Sequence, residues 1–220
     1  MPTTFYAVPV SNYCATVRLI LQLKGVPFVE RLPPEGYGSG AYKAIVPSGT
    51  VPALADDLVV VSESGVIAEY LDERYPGPAL LPPLGDVAAR ARVRLLARLH
   101  DSRVEPNLRA LFAHVDPAKR QTDVVRLQFG LFEQRLHEVE AQASLDPYLT
   151  GAQPTLADYT YPATLLLAER MGETLGQGWS LPPHLAAWWH RLRGLPAVAA
   201  MLRDYGRAVD AWIAAKQGRG

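Results

Sequence analysis

The spacing of apolar positions changes character near residue 80. Before it, short β-rich runs alternate with helical ones. Residues 4–10 (TFYAVPV) predict a strand. Residues 13–24 (YCATVRLILQLK) predict a helix with Val17, Ile20, Leu21 and Lys24 on one side, ended by Gly25. Residues 27–32 (PFVERL) predict a second strand. A Pro/Gly-rich loop, PPEGYGSG, leads to a short helix over 41–46. Residues 51–55 and 58–61, joined at Asp56-Asp57, predict an antiparallel hairpin. Residues 62–75 show a helical period through Val66, Ile67, Tyr70 and Leu71.

The order is β-α-β, loop, β-β-α, which implies a small α/β domain over residues 1–78. The stretch YPGPALLPPLG over 75–85 carries four prolines, and residues 79–85 read as a linker. Beyond it the pattern is helical over 86–113, 117–143, 155–171, 183–193 and 196–215, so residues 86–220 predict an all-α domain.

Composition narrows the function classes. The chain has 220 residues, 49% of them hydrophobic, enough for a packed core. Formal net charge is zero, which leaves no electrostatic footprint for nucleic acid. Residues 1–80 carry 5 Lys+Arg against 8 Asp+Glu, and the remainder carries the compensating positive excess. The single cysteine, Cys14, excludes an intrachain disulfide and fits a reducing compartment. No signal pattern or membrane-length apolar run is visible, so the expected location is cytoplasmic. The five histidines show no metal-ligand spacing. Arg90, Arg94 and Arg98 recur at i+4 and read as a solvated face. There is no Gly-x-Ser-x-Gly, P-loop or Gly-x-Gly-x-x-Gly.

Four local patterns carry chemistry or folding information. Ser11-Asn12-Tyr13-Cys14 stands where the first strand passes into the first helix. A serine here is a helix N-cap, or a hydroxyl donor to an anion at the helix N-terminus, or both. Val51-Pro52 follows Pro47-Ser48-Gly49, and Pro52 is otherwise an ordinary strand-start proline. Ser62-Glu63-Ser64 opens a helix, where capping and an anion site compete as explanations. Thr155-Leu156-Ala157-Asp158 fits a capping box and is assigned to folding, while Pro162 is expected to kink that helix.

In order and spacing these patterns resemble the cytosolic glutathione transferase family over essentially the whole chain, and the Ser-x-x-Cys turn resembles its serine-type theta and zeta classes. The resemblance implies a thioredoxin-like N-terminal domain, an all-helical C-terminal domain, glutathione as co-substrate, no metal, and a homodimer. It implies Ser11 as the group that holds the glutathione sulfur as a thiolate. The family carries a cis-proline where Pro52 stands, with the backbone of Val51 pairing with the cysteinyl part of glutathione. It also implies that Glu63 and Ser64 grip the γ-glutamyl end. His100, Arg103, Leu111 and His114 are candidates for an electrophile pocket, because the family uses this helical region, and Tyr13 is a further candidate because it falls in the first helical turn, near the sulfur. Tyr42 and Lys43 are candidates near the glycyl end.

Tyr6 competes with Ser11, since other classes use a tyrosine at the end of strand one. There it stands two residues before a proline, whereas Tyr6 is three before Pro9, and a one-residue slip reverses the sheet face unless a bulge intervenes. Cys14 reads as a packed thiol. Val17-Arg18 matches part of the run found in zeta-like isomerases, but Ala15-Thr16 departs from it. The expected activity is transfer of small electrophiles to glutathione, as in detoxification. The alternatives are a maleyl-type isomerase or dehalogenase using the same thiolate, and a non-catalytic binding protein of the same fold.

Overall fold

The computed structural model describes residues 3–218. The chain forms two compact units that divide between Leu81 and Pro82, inside the proline-rich stretch.

The first unit runs β1 (Thr3–Tyr6), α1 (Asn12–Leu23), β2 (Phe28–Arg31), α2 (Gly40–Lys43), β3 (Ala53–Ala55), β4 (Val60–Ser62) and α3 (Ser64–Arg74). The sheet order is β2-β1-β3-β4. β2 runs parallel to β1, and β3 is antiparallel to both β1 and β4. β1 is shorter than the 4–10 expected from the sequence: it ends at Tyr6, and Pro9-Val10 form a turn. Proline has no N–H to give a ladder, so the strand stops ahead of it.

α1 buries Cys14, Ala15, Val17, Leu19, Ile20 and Leu21. α3 packs against it and buries Ser64, Ile67, Ala68 and Leu71, an i, i+3, i+4, i+7 stripe. Val66, part of the helical period in the sequence, lies off that buried stripe and is 54% exposed. Lys24, read as part of the apolar side of α1, is buried but ion-paired: its Nζ is 2.6 Å from Asp72 Oδ1. The same carboxylate accepts the N–H groups of Leu80 (2.9 Å) and Leu81 (3.2 Å), so it fastens the segment leaving α3.

At the β3–β4 turn Asp56 accepts from the amides of Leu58 and Val59 and from the Tyr70 hydroxyl at 2.5 Å. Burial pushes the Asp56 carboxyl up, but these donors and the Arg74 charge outweigh it and hold it below its ordinary range.

The second unit is helical: α4 (Val87–Leu99), α5 (Glu105–Arg109), α6 (Thr122–Glu140), α7 (Leu156–Thr160), α8 (Pro162–Leu175), α9 (Pro183–Leu192) and α10 (Pro196–Lys216). A π-helical turn, His100–Val104, joins α4 to α5, so the helix expected over 86–113 is interrupted. The helix expected over 155–171 is also two. Pro162 begins α8 instead of kinking one helix, because at N1 its missing N–H costs nothing. α8 is buried around most of its circumference, and α10 packs along it.

Thr155 and Asp158 form the capping box that opens α7. Asp158 is fully buried and accepts from Leu149 N (2.9 Å), Thr155 N (2.8 Å), Thr155 Oγ1 (3.0 Å) and Trp188 Nε1 (2.8 Å). Burial raises its pKa, and those four bonds oppose the rise. One carboxylate thus ties the 149 turn and α9 to the start of α7.

Asp158→Ala orphans several buried donors at once, each costing about 1–3 kcal/mol. Urea unfolding of the variant beside the wild type should show a loss of about 3 kcal/mol or more. A loss below about 1 kcal/mol contradicts this account.

Candidate functional site

The sheet register gathers three loops at one end of the first unit. Tyr6, the last residue of β1, faces Ala53, the first of β3, and Ala53 faces Ser62, the last of β4. The turn entering α1, the loop entering β3 and the junction entering α3 therefore share that end. Ser48 Oγ lies 3.5 Å from Ser62 Oγ, joining the second loop to the third.

Ser11 is the N-cap of α1. Its backbone is extended (φ −77°, ψ 120°), its Oγ accepts from Cys14 N at 3.2 Å, and its carbonyl accepts from Ala15 N at 2.9 Å. The cap uses a lone pair. The hydroxyl hydrogen has no oxygen or nitrogen acceptor among the described residues, and the side chain is part-exposed. Capping and donation to a ligand are thus compatible in one residue. Cys14 is fully buried, and burial pushes its thiol pKa up, against the pull of the Ser11 hydroxyl, the Val8 backbone and Arg18. It stays a neutral packing group.

The Val51-Pro52 peptide is cis. Val51 lies outside the strands and its N–H and carbonyl have no partner among the described residues. Glu63 precedes α3 with φ 71° and ψ 117°, a left-handed conformation that disfavours side chains, and makes no capping bond. It is exposed, and nothing in the fold requires a carboxylate there. Ser64 is the first residue of α3 and buried, yet its hydroxyl has no hydrogen-bond partner among the described residues. A backbone strained at such a place is characteristic of ligand-gripping turns.

Two family models match this chain: the N-terminal domain of glutathione S-transferases over residues 5–79, and the C-terminal domain over 106–196. A maleylacetoacetate isomerase from Pseudomonas aeruginosa is 33% identical over 198 residues, 84% of each chain. The chain belongs to the glutathione S-transferase family. A maleylpyruvate isomerase from Ralstonia sp. is 34% identical over 163 residues, 64% of this chain and 71% of that one. The theta-class glutathione S-transferase of Xanthomonas axonopodis pv. citri, solved with glutathione bound, superposes with a TM-score of 0.76. It is 26% identical, covering 92% of this chain and 98% of that one. The family uses glutathione, and no helix among the described residues is long and apolar enough to cross a membrane.

Within this glutathione S-transferase fold, Tyr6 pairs without a bulge: Thr4, Phe5 and Tyr6 face Ala55, Leu54 and Ala53 one to one. Its ring packs on Tyr42, with centroids 5.5 Å apart, in a cluster with Val46 and Ala53. Tyr42 is itself fully buried, and its hydroxyl donates to the Thr50 carbonyl at 3.0 Å, so it does not serve as a ligand at the glycyl end. Its burial was visible only as the i, i+4 pair Tyr42–Val46 beside a glycine-rich loop. Lys43 is exposed, and its stem lies against Gly49, whose φ of +67° favours glycine.

Among the second-unit candidates, His100 is a core residue. Its Nδ1 is 2.8 Å from Asp101 Oδ1, its Nε2 is 2.7 Å from Thr164 Oγ1, and its ring meets Tyr161 edge-on. Leu111 is fully buried, and His114 is buried with Nδ1 3.0 Å from the Lys119 carbonyl and 3.1 Å from Gln121 N. All three are thus buried in the second unit. Arg103 is exposed and ion-paired with Glu138 at 3.3 Å. Tyr13 is part-exposed in the first turn of α1. Among the described residues no cluster of His, Cys, Asp or Glu is arranged to hold a metal ion.

Glu63→Gly should stabilise the protein by about 1 kcal/mol, since glycine adopts this conformation without the side-chain penalty. Chemical denaturation checks it. A destabilised variant means that the Glu63 side chain supports the fold in a way the hydrogen bonds do not reveal.

Proposed function

We propose that this chain is a glutathione transferase in which Ser11 donates its hydroxyl hydrogen to the glutathione sulfur and holds it as a thiolate. The observation that carries the reading is the part-exposed Ser11 hydroxyl at the α1 cap, which has no oxygen or nitrogen acceptor among the described residues, at the sheet end that also holds Val51 and Ser64. An extended tripeptide suits this arrangement. The cysteinyl backbone pairs with Val51. The γ-glutamyl carboxylate takes the Ser64 hydroxyl and the amides at the α3 N-terminus. Glu63 faces the ammonium.

The energetics are adequate. A free thiol titrates near ~8.5, so little is ionised at neutral pH. Lowering that by two units requires roughly 2.7 kcal/mol in favour of the anion. A hydrogen bond to a charged group contributes about 1.5–3 kcal/mol and a helix N-terminus about 0.3–1 kcal/mol. The thiolate then attacks a small electrophile, with the protein supplying orientation and ionisation. The reading includes a cytoplasmic homodimer, as is usual in the family.

The isomerase names of two relatives favour a second reading for the same site. There the thiolate adds to a conjugated cis double bond, the resulting single bond rotates, and elimination of the thiolate returns the trans product. Parallel assays with a halonitrobenzene and with maleylpyruvate separate the two.

Ser11→Ala should keep the fold, with a loss of about 1 kcal/mol for the cap. It should still bind glutathione, but with the bound thiol pKa raised, so that less thiolate exists at neutral pH and conjugation slows about tenfold per unit of rise. Ultraviolet thiolate absorbance against pH, with rates on the same samples, measures both. Equal thiol pKa and rate in wild type and variant sink the role of Ser11 and return it to Tyr6.

A further inference from the structure

We infer that Tyr42 is the positioning residue that aims the Val51 N–H out of the protein towards the bound peptide; this rests on the glutathione reading above. The geometry begins with one peptide plane. Val51-Pro52 and Asp146-Pro147 are the only cis bonds among the described residues, so the Thr50–Val51 peptide is trans. In a trans peptide the carbonyl and the N–H are fixed in one plane and point opposite ways. The Thr50 carbonyl and the Val51 N–H belong to this single unit.

The Thr50 carbonyl accepts the Tyr42 hydroxyl at 3.0 Å. That hydroxyl comes from a fully buried side chain packed on Tyr6, Val46 and Ala53, so the carbonyl is held towards the interior. The Val51 N–H is thereby turned away from it, and no acceptor among the described residues meets it. Pro52 has no N–H, so Val51 offers the only main-chain donor at this step of the loop.

The anchor is rigid for reasons visible locally. Tyr42 N donates to Ser39 Oγ at 3.0 Å, which caps the short α2 and fixes the tyrosine backbone. Ser48 Oγ and Thr50 Oγ1 are 2.8 Å apart, and Thr50 N is 3.4 Å from Ser48 Oγ, so the residue carrying the carbonyl is tied on its exposed side too. Burial pushes the Tyr42 pKa up to about 12, with the nearby Cys14 and Tyr6 adding to it, so the hydroxyl remains a donor throughout the working range of pH. Since Tyr42 is itself inaccessible, it acts on a ligand only through Val51.

The test is Tyr42→Phe, which removes the hydroxyl and keeps the packing. Tyr70→Phe is the control. It deletes a comparable hydroxyl bond, to Asp56, in the same unit but at the opposite end of β3. Tyr42→Phe should raise the KM for glutathione about fivefold, the loss of one well-aimed neutral hydrogen bond. It should leave kcat at saturating glutathione and the bound-thiol pKa unchanged. Tyr70→Phe should lower the melting temperature without moving KM. In the ligand-free protein the Val51 amide resonance should shift or broaden in Tyr42→Phe and stay in place in Tyr70→Phe. An unchanged KM in Tyr42→Phe, or an equal rise in Tyr70→Phe, overturns the inference. If the wild type binds no glutathione, the functional reading fails and the Val51 amide decides this one alone. An amide identical in wild type and Tyr42→Phe rejects it.

Discussion

The register Tyr6–Ala53–Ser62 across three short strands is the constraint on which the site depends. Side chains on a strand alternate faces, so a slip of one residue in β3 would turn Ala53 and Leu54 over and displace the Val51 loop along the sheet. β3 has three residues, too few to set its register by its own ladder alone. The fixing comes from outside it. Asp56 closes the β3–β4 turn with amides on one oxygen and Tyr70 on the other, while Tyr42 and Ser48 hold the opposite approach. The strand is pinned at both ends by side chains of neighbouring elements.

The same register places the N-termini of α1 and α3 at one end of the sheet, where their free amides make a region suited to anions. The rest of each helix is secured away from that end. Lys24, just past the end of α1, meets Asp72 near the end of α3, and the carboxylate also takes two amides of the departing chain. A lysine is favourable at a helix C-terminus, and these extra donors compensate the desolvation that a buried ion pair alone would leave uncovered. The packed helices are thereby held at their far ends. Ser11, Ser64 and Glu63 stand at the near end: a hydroxyl without an oxygen or nitrogen acceptor, a hydroxyl without a hydrogen-bond partner and an exposed carboxylate, among the described residues.

Much of this was legible in the sequence because local chemistry and global fold agree. The strand–helix alternation, the proline-rich boundary and the antiparallel pair at Asp56-Asp57 each follow from residue type and period. Ser11 was legible both as a cap and as a candidate donor, and the structure adds that its oxygen accepts from Cys14 N, which leaves the two roles compatible. What stayed hidden depended on tertiary neighbours. Val66 has the same character as Ile67, and only the packing of α3 on α1 decides which is exposed. His100 and Leu111 were chosen as pocket candidates from their region, but Thr164, a residue distant in sequence, consumes a ring nitrogen of His100. Tyr42 fell in an expected short helix, but nothing local announces its hydroxyl bond to Thr50.

Arg18 shows how far the similarity to isomerases reaches into the first helix. Val17-Arg18 is the part of the isomerase-like run that this chain keeps, and an arginine near a thiolate invites a role in binding an anionic substrate. Here the guanidinium is bidentate to Glu30, at 2.8 and 2.6 Å, and lies over the Phe5 ring at 5.7 Å to its centroid. It therefore joins α1 to β2 across β1, and Val17 beside it is fully buried. A bidentate pair stacked on an aromatic ring is geometrically demanding, and lysine does not replace it without loss. In this chain the Val17-Arg18 pair is thus explained by packing of the first unit. What separates the two activities must lie in groups that contact the second substrate, and the shared run carries no weight in choosing between them.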